Sequence, residues 1–152
     1  MYLLDGPPTK ASGHNTVLTR GRDEVGLIGD SHAILKELAT DQRWQNTHVA
    51  YVSRTTEPEW AQQCLRLLQS KAGLCLDAQA PFQEIYPGNK KKHFQRIHSQ
   101  SSIPYDQMIF FDNENRNCID CAKLGITCVY TPRGALHLSS VQICCCLLHL
   151  HG

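Results

Sequence analysis

Three polar residues in this sequence come directly after apolar, strand-like runs or after the turn that follows one. Ser53 follows the run 48–52, and Asp112 follows the almost wholly apolar run 107–111. Lys90 comes after a Pro-Gly turn that closes a shorter run. A hydroxyl, an ammonium and a carboxylate are groups that bind a phosphoryl group and a hard cation such as Mg²⁺. Their placement therefore indicates chemistry on a phosphate ester.

Each of these residues has a role that suits its chemistry. The Ser53 hydroxyl and the backbone N–H of Arg54 would donate to the non-bridging phosphoryl oxygens. Lys90 would neutralise the phosphoryl group together with an attacking carboxylate, and Asp112 would hold Mg²⁺, which prefers oxygen ligands. Simpler interpretations exist: Ser53 as a helix cap, and Lys90 as one of the solvated lysines at 90–92. Asp112 is the strongest candidate, because a carboxylate that closes a buried strand is costly without a partner.

The elements that must position these residues alternate between strands and helices. Each apolar, β-rich run is followed by a segment of helical periodicity with a capping or terminating residue. This alternation predicts right-handed crossovers and a parallel α/β sheet covered on both faces, with ligands bound beyond the carboxyl ends of the strands. The predicted strands are 48–52, 82–86, 107–111 and 126–130, and the predicted helices are 31–41, 58–71, 90–97 and 114–124.

The composition is that of a single soluble domain. The chain has 152 residues, of which 41% are hydrophobic, and this is enough for a buried core. A formal net charge of +1 favours neither nucleic acid nor an anionic membrane surface as a partner. No apolar run approaches the roughly 20 residues of a membrane helix, so we expect a soluble, cytoplasmic protein with no nucleic-acid or membrane partner. The predicted organisation is a loop or insertion at 1–28, an α/β core at 29–138 and an atypical cysteine-rich tail at 139–152.

The cysteines fall into two groups. Five lie in apolar, regular segments and are predicted to be reduced, mostly buried thiols. Among them, Cys118 and Cys121 form a Cys-x-x-Cys pair that we assign to core packing, because it lies within a helix and no second pair completes a zinc site. In the basic helix, His93 and His98 are predicted to be partly exposed structural histidines. The five cysteines are Cys64, Cys75, Cys118, Cys121 and Cys128.

The tail holds three adjacent cysteines at 144–146, followed by Leu-Leu-His-Leu-His at 147–151. Such a segment would bind a soft metal or be acylated. The alternative interpretation is a misjudged exon boundary or a frame change, because the tail has too little helical character to form an amphipathic helix on the sheet. Both interpretations remain open at the level of sequence.

The segments around the polar residues resemble motifs of the haloacid dehalogenase superfamily, and within it those of the small magnesium-dependent phosphatases. The matching segments are Ser53-Arg54-Thr55, Glu84-Ile85-Tyr86-Pro87-Gly88-Asn89-Lys90 with His93-Phe94, and 110–117 with 124–128. The resemblance spans 29–133 and implies a Rossmann-like three-layer sandwich with Mg²⁺ as the cofactor. It makes Ser53 the second motif, Lys90 the third and Asp112 the metal-binding acid of the fourth.

Two departures from the family pattern bear on activity. Members begin with an apolar strand ending in Asp-x-Asp, whose first aspartate is phosphorylated and whose second is the general acid/base. Nothing here matches it: Asp5 follows too few residues for a central strand, and Pro7 stands two positions on. Asn113 stands where many relatives have a second aspartate, which would lower the affinity for Mg²⁺ without abolishing it. We therefore predict that the first central strand is lost upstream of Met1, leaving its neighbours unpaired and the chain inactive.

Three functional hypotheses follow. The first is a magnesium-dependent phosphomonoester hydrolase whose full-length product acts through an aspartyl-phosphate on a phosphorylated small molecule, such as a sugar phosphate, or on a phosphotyrosine protein. The second is a non-catalytic relative that keeps the fold and binds phosphate or a partner protein. The third is a metal- or thiol-responsive module that uses the tail. The choice of substrate lies in loops whose shape the sequence does not define.

Overall fold

The computed structural model of the chain describes residues 4, 6–12, 16–27, 29–70, 73–132 and 144–149, and for residues 10, 12 and 144–149 only the backbone. Asp5 lies outside the described residues. None of the helices in these ranges is long and apolar enough to cross a membrane. The strands are β1 (Pro8–Ser12), β2 (Thr16–Thr19), β3 (Glu24–Gly26), β4 (Thr47–Ser53), β5 (Phe82–Ile85), β6 (Met108–Asp112), β7 (Thr127–Tyr130) and β8 (Cys144–His149). The helices are α1 (Ser31–Thr40), α2 (Pro58–Leu67), α3 (Leu76–Gln79), α4 (Lys90–Ser101) and α5 (Asn115–Ala122).

Five strands form the main sheet in the order β5-β4-β8-β6-β7. β4 pairs in parallel with β5, and β6 pairs in parallel with β7. One or two helices separate the members of each pair in the sequence, because parallel strands require a crossover connection. The predicted α/β class is confirmed. The carboxyl ends of these four strands lie at one edge of the sheet, which we call the carboxyl edge.

The central strand β8 comes from the cysteine-rich tail. It runs antiparallel to both neighbours, with Cys146 paired with Ala50 of β4 and with Phe110 of β6. The prediction of unpaired strands in the middle of the sheet was therefore wrong, because β8 satisfies the backbone groups of β4 and β6. The sheet was also predicted to be parallel, but it is mixed, because β8 is antiparallel to both of its neighbours. An uninterrupted Cys-Leu run suits a strand that is flanked on both sides.

A second, smaller sheet occupies part of the segment that was predicted to be loop or insertion. Its three strands are antiparallel in the order β1-β2-β3. Val17 and Val25 are partners in this sheet, are fully buried, and belong to the same core cluster as Leu35 of α1. The strands have only 3–5 residues each, so no sustained period in the sequence showed them.

The main sheet has an apolar core on each face. Successive side chains of a strand point to opposite faces, so Tyr51 of β4 joins one core and Val52 joins the other. The first core includes Leu65 of α2. The second includes Phe94 of α4 and Phe110 of β6, whose rings meet edge to face with centroids 4.8 Å apart. These layers hold β4, β6 and α4 at fixed positions beneath the carboxyl edge.

The start of α4 is defined by a side-chain cap. The side-chain oxygen of Asn89 accepts a hydrogen bond from the backbone N–H of Lys91 at 2.9 Å, as the sequence predicts. Lys90 is therefore fixed as the first residue of the helix. The other ends differ from the predicted ones: α4 continues to Ser101, and α2 already ends at Leu67. Terminal residues of helices are the least reliable part of any prediction from pattern.

The two histidines of α4 differ in burial. His93 is fully buried, whereas His98 is half-buried. The prediction of partial exposure was therefore wrong for His93. The sequence did not indicate this burial, because three lysines precede His93 and give the helix a basic character. The ring of His93 nevertheless faces the turn between β5 and α4.

Candidate functional site

Lys90 and Asp112 form a buried ion pair at the carboxyl edge. The Nζ atom of Lys90 lies 3.7 Å from Oδ2 of Asp112, and the two side chains are 3% and 1% exposed. Nζ also donates a hydrogen bond to the carbonyl oxygen of Val52 at 2.8 Å. The ammonium thus connects the ends of β4 and β6. Lys92, in the same run, is exposed, so the interpretation of the run as a solvated face does not apply to Lys90.

Asp112 is oriented by the loop and helix that follow it. Its Oδ1 accepts a hydrogen bond from the backbone N–H of Glu114 at 2.7 Å, and its Oδ2 accepts one from Nδ2 of Asn117 at 2.9 Å. Hydrogen bonds to an ionised acceptor are short and strong, so the carboxylate is held in one orientation. Neither Glu114 nor Asn117 was predicted from the sequence to have a role. The signal that would have found them is a polar residue in the first turn of a helix directly after a buried strand.

Ser53 lies fully buried at the end of β4. Its Oγ accepts a hydrogen bond from the backbone N–H of Thr55 at 3.3 Å, and Oγ1 of Thr55 accepts one from the N–H of Glu57 at 3.0 Å. The N-cap residue of α2 is Glu57, so the interpretation of Ser53 as the cap of that helix is wrong. Ser53 instead shapes the loop that begins where β4 ends.

Arg54 links this loop to the start of α5. Its Nη1 donates to Oδ1 of Asn117 at 3.3 Å and lies 3.7 Å from Oε2 of Glu114. Asn117 therefore contacts both Arg54 and Asp112. The side chains of the loops after β4 and β6 form one connected network.

Three buried polar atoms at the carboxyl edge have no hydrogen-bond partner among the described residues: Nε of Arg54, Oδ1 of Asn113 and Oγ1 of Thr131. Thr131 follows β7, and its N–H donates to the carbonyl oxygen of Asp112 at 2.8 Å. A buried polar atom without a partner costs about 1–3 kcal/mol, so their proximity to the ion pair indicates a place for a polar ligand. Thr131 was not predicted, since it follows a mostly exposed strand.

The residues around Asp112 fit a Mg²⁺ ion that is held by few protein atoms. Asp112 has further lone pairs beyond its two hydrogen bonds, and Asn113 adds a buried amide oxygen without a partner. Mg²⁺ is usually bound through one or two carboxylates and keeps several waters. Within the described part of the chain, no three His, Cys, Asp or Glu residues are grouped as a metal site. Waters and a substrate phosphate would therefore supply the other ligands.

The Cys118 and Cys121 thiols lie in the core behind Asp112. Both are buried and free, and Cys118 Sγ lies 4.0 Å from the carbonyl oxygen of Asp112. Burial raises the pKa of Cys121 to about 12 and also raises that of Cys118. Such neutral thiols are poor nucleophiles and metal ligands, so the prediction of core packing is confirmed. Soft-metal binding by the tail stays a prediction, because only its backbone is described at 144–149.

The α/β fold is of the class to which hydrolases of the haloacid dehalogenase type belong. Two relatives agree with this class. Magnesium-dependent phosphatase 1 of Homo sapiens is 38% identical over 128 residues, which are 84% of this chain and 67% of the relative. A HAD-like hydrolase superfamily protein of Schizosaccharomyces pombe is 36% identical over 107 residues, covering 68% of this chain and 59% of the relative.

The family assignment is more specific. The sequence profile described as Acid Phosphatase matches residues 1–141. The chain therefore belongs to the acid phosphatase family, and the resemblance found in its motifs is confirmed. It spans about two thirds or less of the length of the two relatives.

Proposed function

We propose that this chain carries the phosphate-binding and magnesium-binding part of a phosphomonoester hydrolase. The observation that supports this most is the buried Lys90–Asp112 pair, 3.7 Å apart, beside unpartnered atoms of Arg54, Asn113 and Thr131. Such an arrangement is costly for a structure that binds nothing there, and it suits a phosphate together with a hard cation. The name of the human relative, a magnesium-dependent phosphatase, agrees with the cation.

The roles of the residues follow from their chemistry. Asp112, helped by the amide oxygen of Asn113, would hold Mg²⁺, which when bound would neutralise charge on the phosphoryl oxygens. Lys90 would place a second positive charge between the phosphoryl group and the end of β4. Ser53 and the N–H of Arg54 would donate hydrogen bonds to non-bridging oxygens as charge develops on them.

The attacking carboxylate is the part that this chain does not supply in recognisable form. No Asp-x-Asp occurs in residues 1–152. We infer that the chain as given binds phosphate esters without turning them over. A longer product with an Asp-x-Asp strand would hydrolyse them through an aspartyl-phosphate. The substrates would be a phosphorylated small molecule or a phosphoprotein, including phosphotyrosine proteins.

A non-catalytic, phosphate- or protein-binding function is the second candidate. The observation in its favour is that β8 completes the sheet between β4 and β6, so the fold of the described residues is closed as it stands. In that case binding of phosphate, without hydrolysis, would be the function itself.

Two measurements test the proposal. Binding of inorganic phosphate, with and without Mg²⁺, is measured by calorimetry for the unmodified chain and for Asp112→Ala, with Asp120→Ala as the matched control. Asp120 lies in α5, the helix that follows Asp112, but it pairs with Lys123 at the surface. We expect Mg²⁺-dependent binding that Asp112→Ala abolishes and Asp120→Ala leaves intact. Equal loss in both variants, or no binding by the unmodified chain, would refute the proposed site.

Hydrolysis of p-nitrophenyl phosphate then separates the two candidates. We compare the chain with a form extended by any in-frame strand that ends in Asp-x-Asp. Turnover by the extended form alone, lost on Asp112→Ala, supports the hydrolase. Binding without turnover in both forms supports the second candidate.

A further inference from the structure

His93 makes an unusual pair of contacts in the turn between β5 and α4. Its Nδ1 lies 2.9 Å from the carbonyl oxygen of Asn89, and its Nε2 lies 2.9 Å from the carbonyl oxygen of Tyr86. The ring is fully buried and stacks on the ring of Tyr86, with centroids 4.2 Å apart and planes 15° from parallel. The two carbonyl groups belong to the two ends of the turn. His93 therefore closes the turn from the helix side.

Each ring nitrogen of His93 faces a carbonyl oxygen at 2.9 Å, and the oxygen of Asn89 also accepts the backbone N–H of Lys92 at 2.9 Å. A carbonyl oxygen accepts hydrogen bonds only, and a neutral imidazole carries a single N–H. The second ring nitrogen would then direct its lone pair at a carbonyl oxygen 2.9 Å away, and two acceptors at that distance repel each other. An imidazolium carries an N–H on both nitrogens and satisfies both carbonyls. The ring of Tyr86 favours a nearby cation, and the Arg96 guanidinium also lies 5.7 Å from its centroid.

The turn that His93 closes also sets the position of Lys90. Asn89 caps α4, and Lys90 is the first residue of that helix. From there the Lys90 ammonium reaches Val52 and Asp112, so a shift of the turn would move it away from both. The His93 contacts thus act on the ion pair through the backbone.

We propose that His93 is held as an imidazolium that bridges the carbonyls of Tyr86 and Asn89, and that it is a positioning residue for Lys90. This proposal goes beyond the proposed function in its first part and rests on it only where phosphate binding is the readout. It gives the buried histidine a role through Lys90 and not through contact with substrate.

His98 provides the matched control within the same helix. Its ring also contacts a tyrosine, Tyr105, with centroids 4.5 Å apart and the planes tilted by 32°. Its Nδ1 lies 2.7 Å from the carbonyl oxygen of Ile103, and its other ring nitrogen has no carbonyl partner among the described residues. The two histidines thus differ in burial and in the number of carbonyl partners.

The first test is long-range ¹H–¹⁵N NMR of the histidine rings in the unmodified chain at neutral pH. We expect the two ring nitrogens of His93 to have closely similar shifts, each bearing a slowly exchanging proton, as an imidazolium requires. His98 is the internal reference for a ring with one carbonyl partner. One protonated and one unprotonated nitrogen at His93 would overturn the proposal. This measurement uses the unmodified chain, so it does not depend on the folding of a variant.

The second test measures the affinity for inorganic phosphate in the presence of Mg²⁺. We expect His93→Phe to weaken it by about tenfold or more, because the ring stack is kept but both donors are lost, and His98→Phe to change it by less than about twofold. His93→Gln should recover part of the loss, since its amide has two N–H groups. Equal effects of the two Phe variants would refute the positioning role. Absence of phosphate binding by the unmodified chain would refute the proposed function and leave the NMR result to decide the state of His93.

Discussion

Two ion pairs in different regions of the molecule show that the distance between the charged atoms does not by itself determine how much a pair contributes to stability. The Lys90–Asp112 pair at the carboxyl edge is 3.7 Å long, with side chains 3% and 1% exposed. The Arg43–Asp41 pair in the turn after α1 is shorter, at 2.8 Å, but its side chains are 71% and 33% exposed. The first joins residues that are distant in sequence, and the second joins residues two positions apart. We expect the longer, buried pair to matter far more.

The physical reason is the surrounding water. A surface pair gains little, because water already solvates both charges and salt screens them. Removing one partner of a buried pair leaves an uncompensated charge in the interior, which is strongly destabilising. Burial, and not the separation of the charged atoms, therefore identifies which pair the fold depends on.

The largest effect is expected from a change in β8. It tests whether this strand holds β4 and β6 at the separation that the Lys90–Asp112 pair requires. Cys146→Pro removes a backbone donor opposite Ala50 and Phe110, and proline is not tolerated inside a central strand. We expect loss of cooperative thermal unfolding and of phosphate binding, measured by circular dichroism and calorimetry. Cys146→Ala is the control and should keep both. Cooperative unfolding of the proline variant would show that the main sheet does not need this strand.

The next largest effect is expected from a substitution that breaks the buried pair directly. Lys90→Met should cost about 3–5 kcal/mol of unfolding free energy in urea, because Asp112 is left buried with an unpaired charge. Adding Asp112→Asn should recover part of this loss. Lys92→Met, at an exposed position of the same helix, is the control with little change expected. If both lysine variants lower the free energy of unfolding by the same amount, burial is not the deciding factor.

A smaller effect sharpens the same comparison. Asn117→Ala removes a donor to Asp112 and an acceptor for Arg54, while the ion pair itself remains. We expect a loss of about 1–3 kcal/mol in unfolding free energy, as for buried groups that lose a hydrogen-bond partner. Asn115→Ala, at the exposed first position of α5, should leave stability unchanged. A loss confined to Asn115→Ala would contradict the network described for Asp112.

The smallest effect concerns the exposed pair. The hydrogen bonds from Arg43 lower the pKa of Asp41 below its ordinary value. A lowered folded-state pKa gives a contribution that is present above the pKa of the unfolded chain and is lost as the pH falls. In Arg43→Ala we therefore expect the pKa of Asp41 to rise towards its ordinary value in an NMR titration. The unfolding midpoint at neutral pH should not change measurably, and a large drop would remove the contrast between the two pairs.

The sequence was informative where function depends on where strands end. Apolar runs followed by polar residues located Ser53, Lys90 and Asp112 at the ends of β4 and β6 and at the start of α4, where the structure has them. The residues that end strands and begin helices are a local signal, since capping and turn residues act within a few positions. Their roles with phosphate and Mg²⁺ stay predictions.

What the sequence missed depends on contacts between distant segments. Nothing in the run at 144–149 indicates that it pairs with both β4 and β6, because pairing partners are not encoded in local pattern. Burial of His93 was missed for a related reason: its partners are main-chain carbonyls of a turn, which leave no trace in residue type. Thr131 became visible only through its contact with Asp112.

The central position of β8 also has a consequence for the order of events during synthesis. Strands β4 and β6 leave the ribosome well before β8, which lies after both in the sequence. Until it arrives, each presents an unpaired edge, and such edges are templates for aggregation. The main sheet therefore closes only after residues 144–149 have been made, through contacts of long sequence separation that form slowly. A chain of this design would depend on chaperones more than one whose central strand is made first.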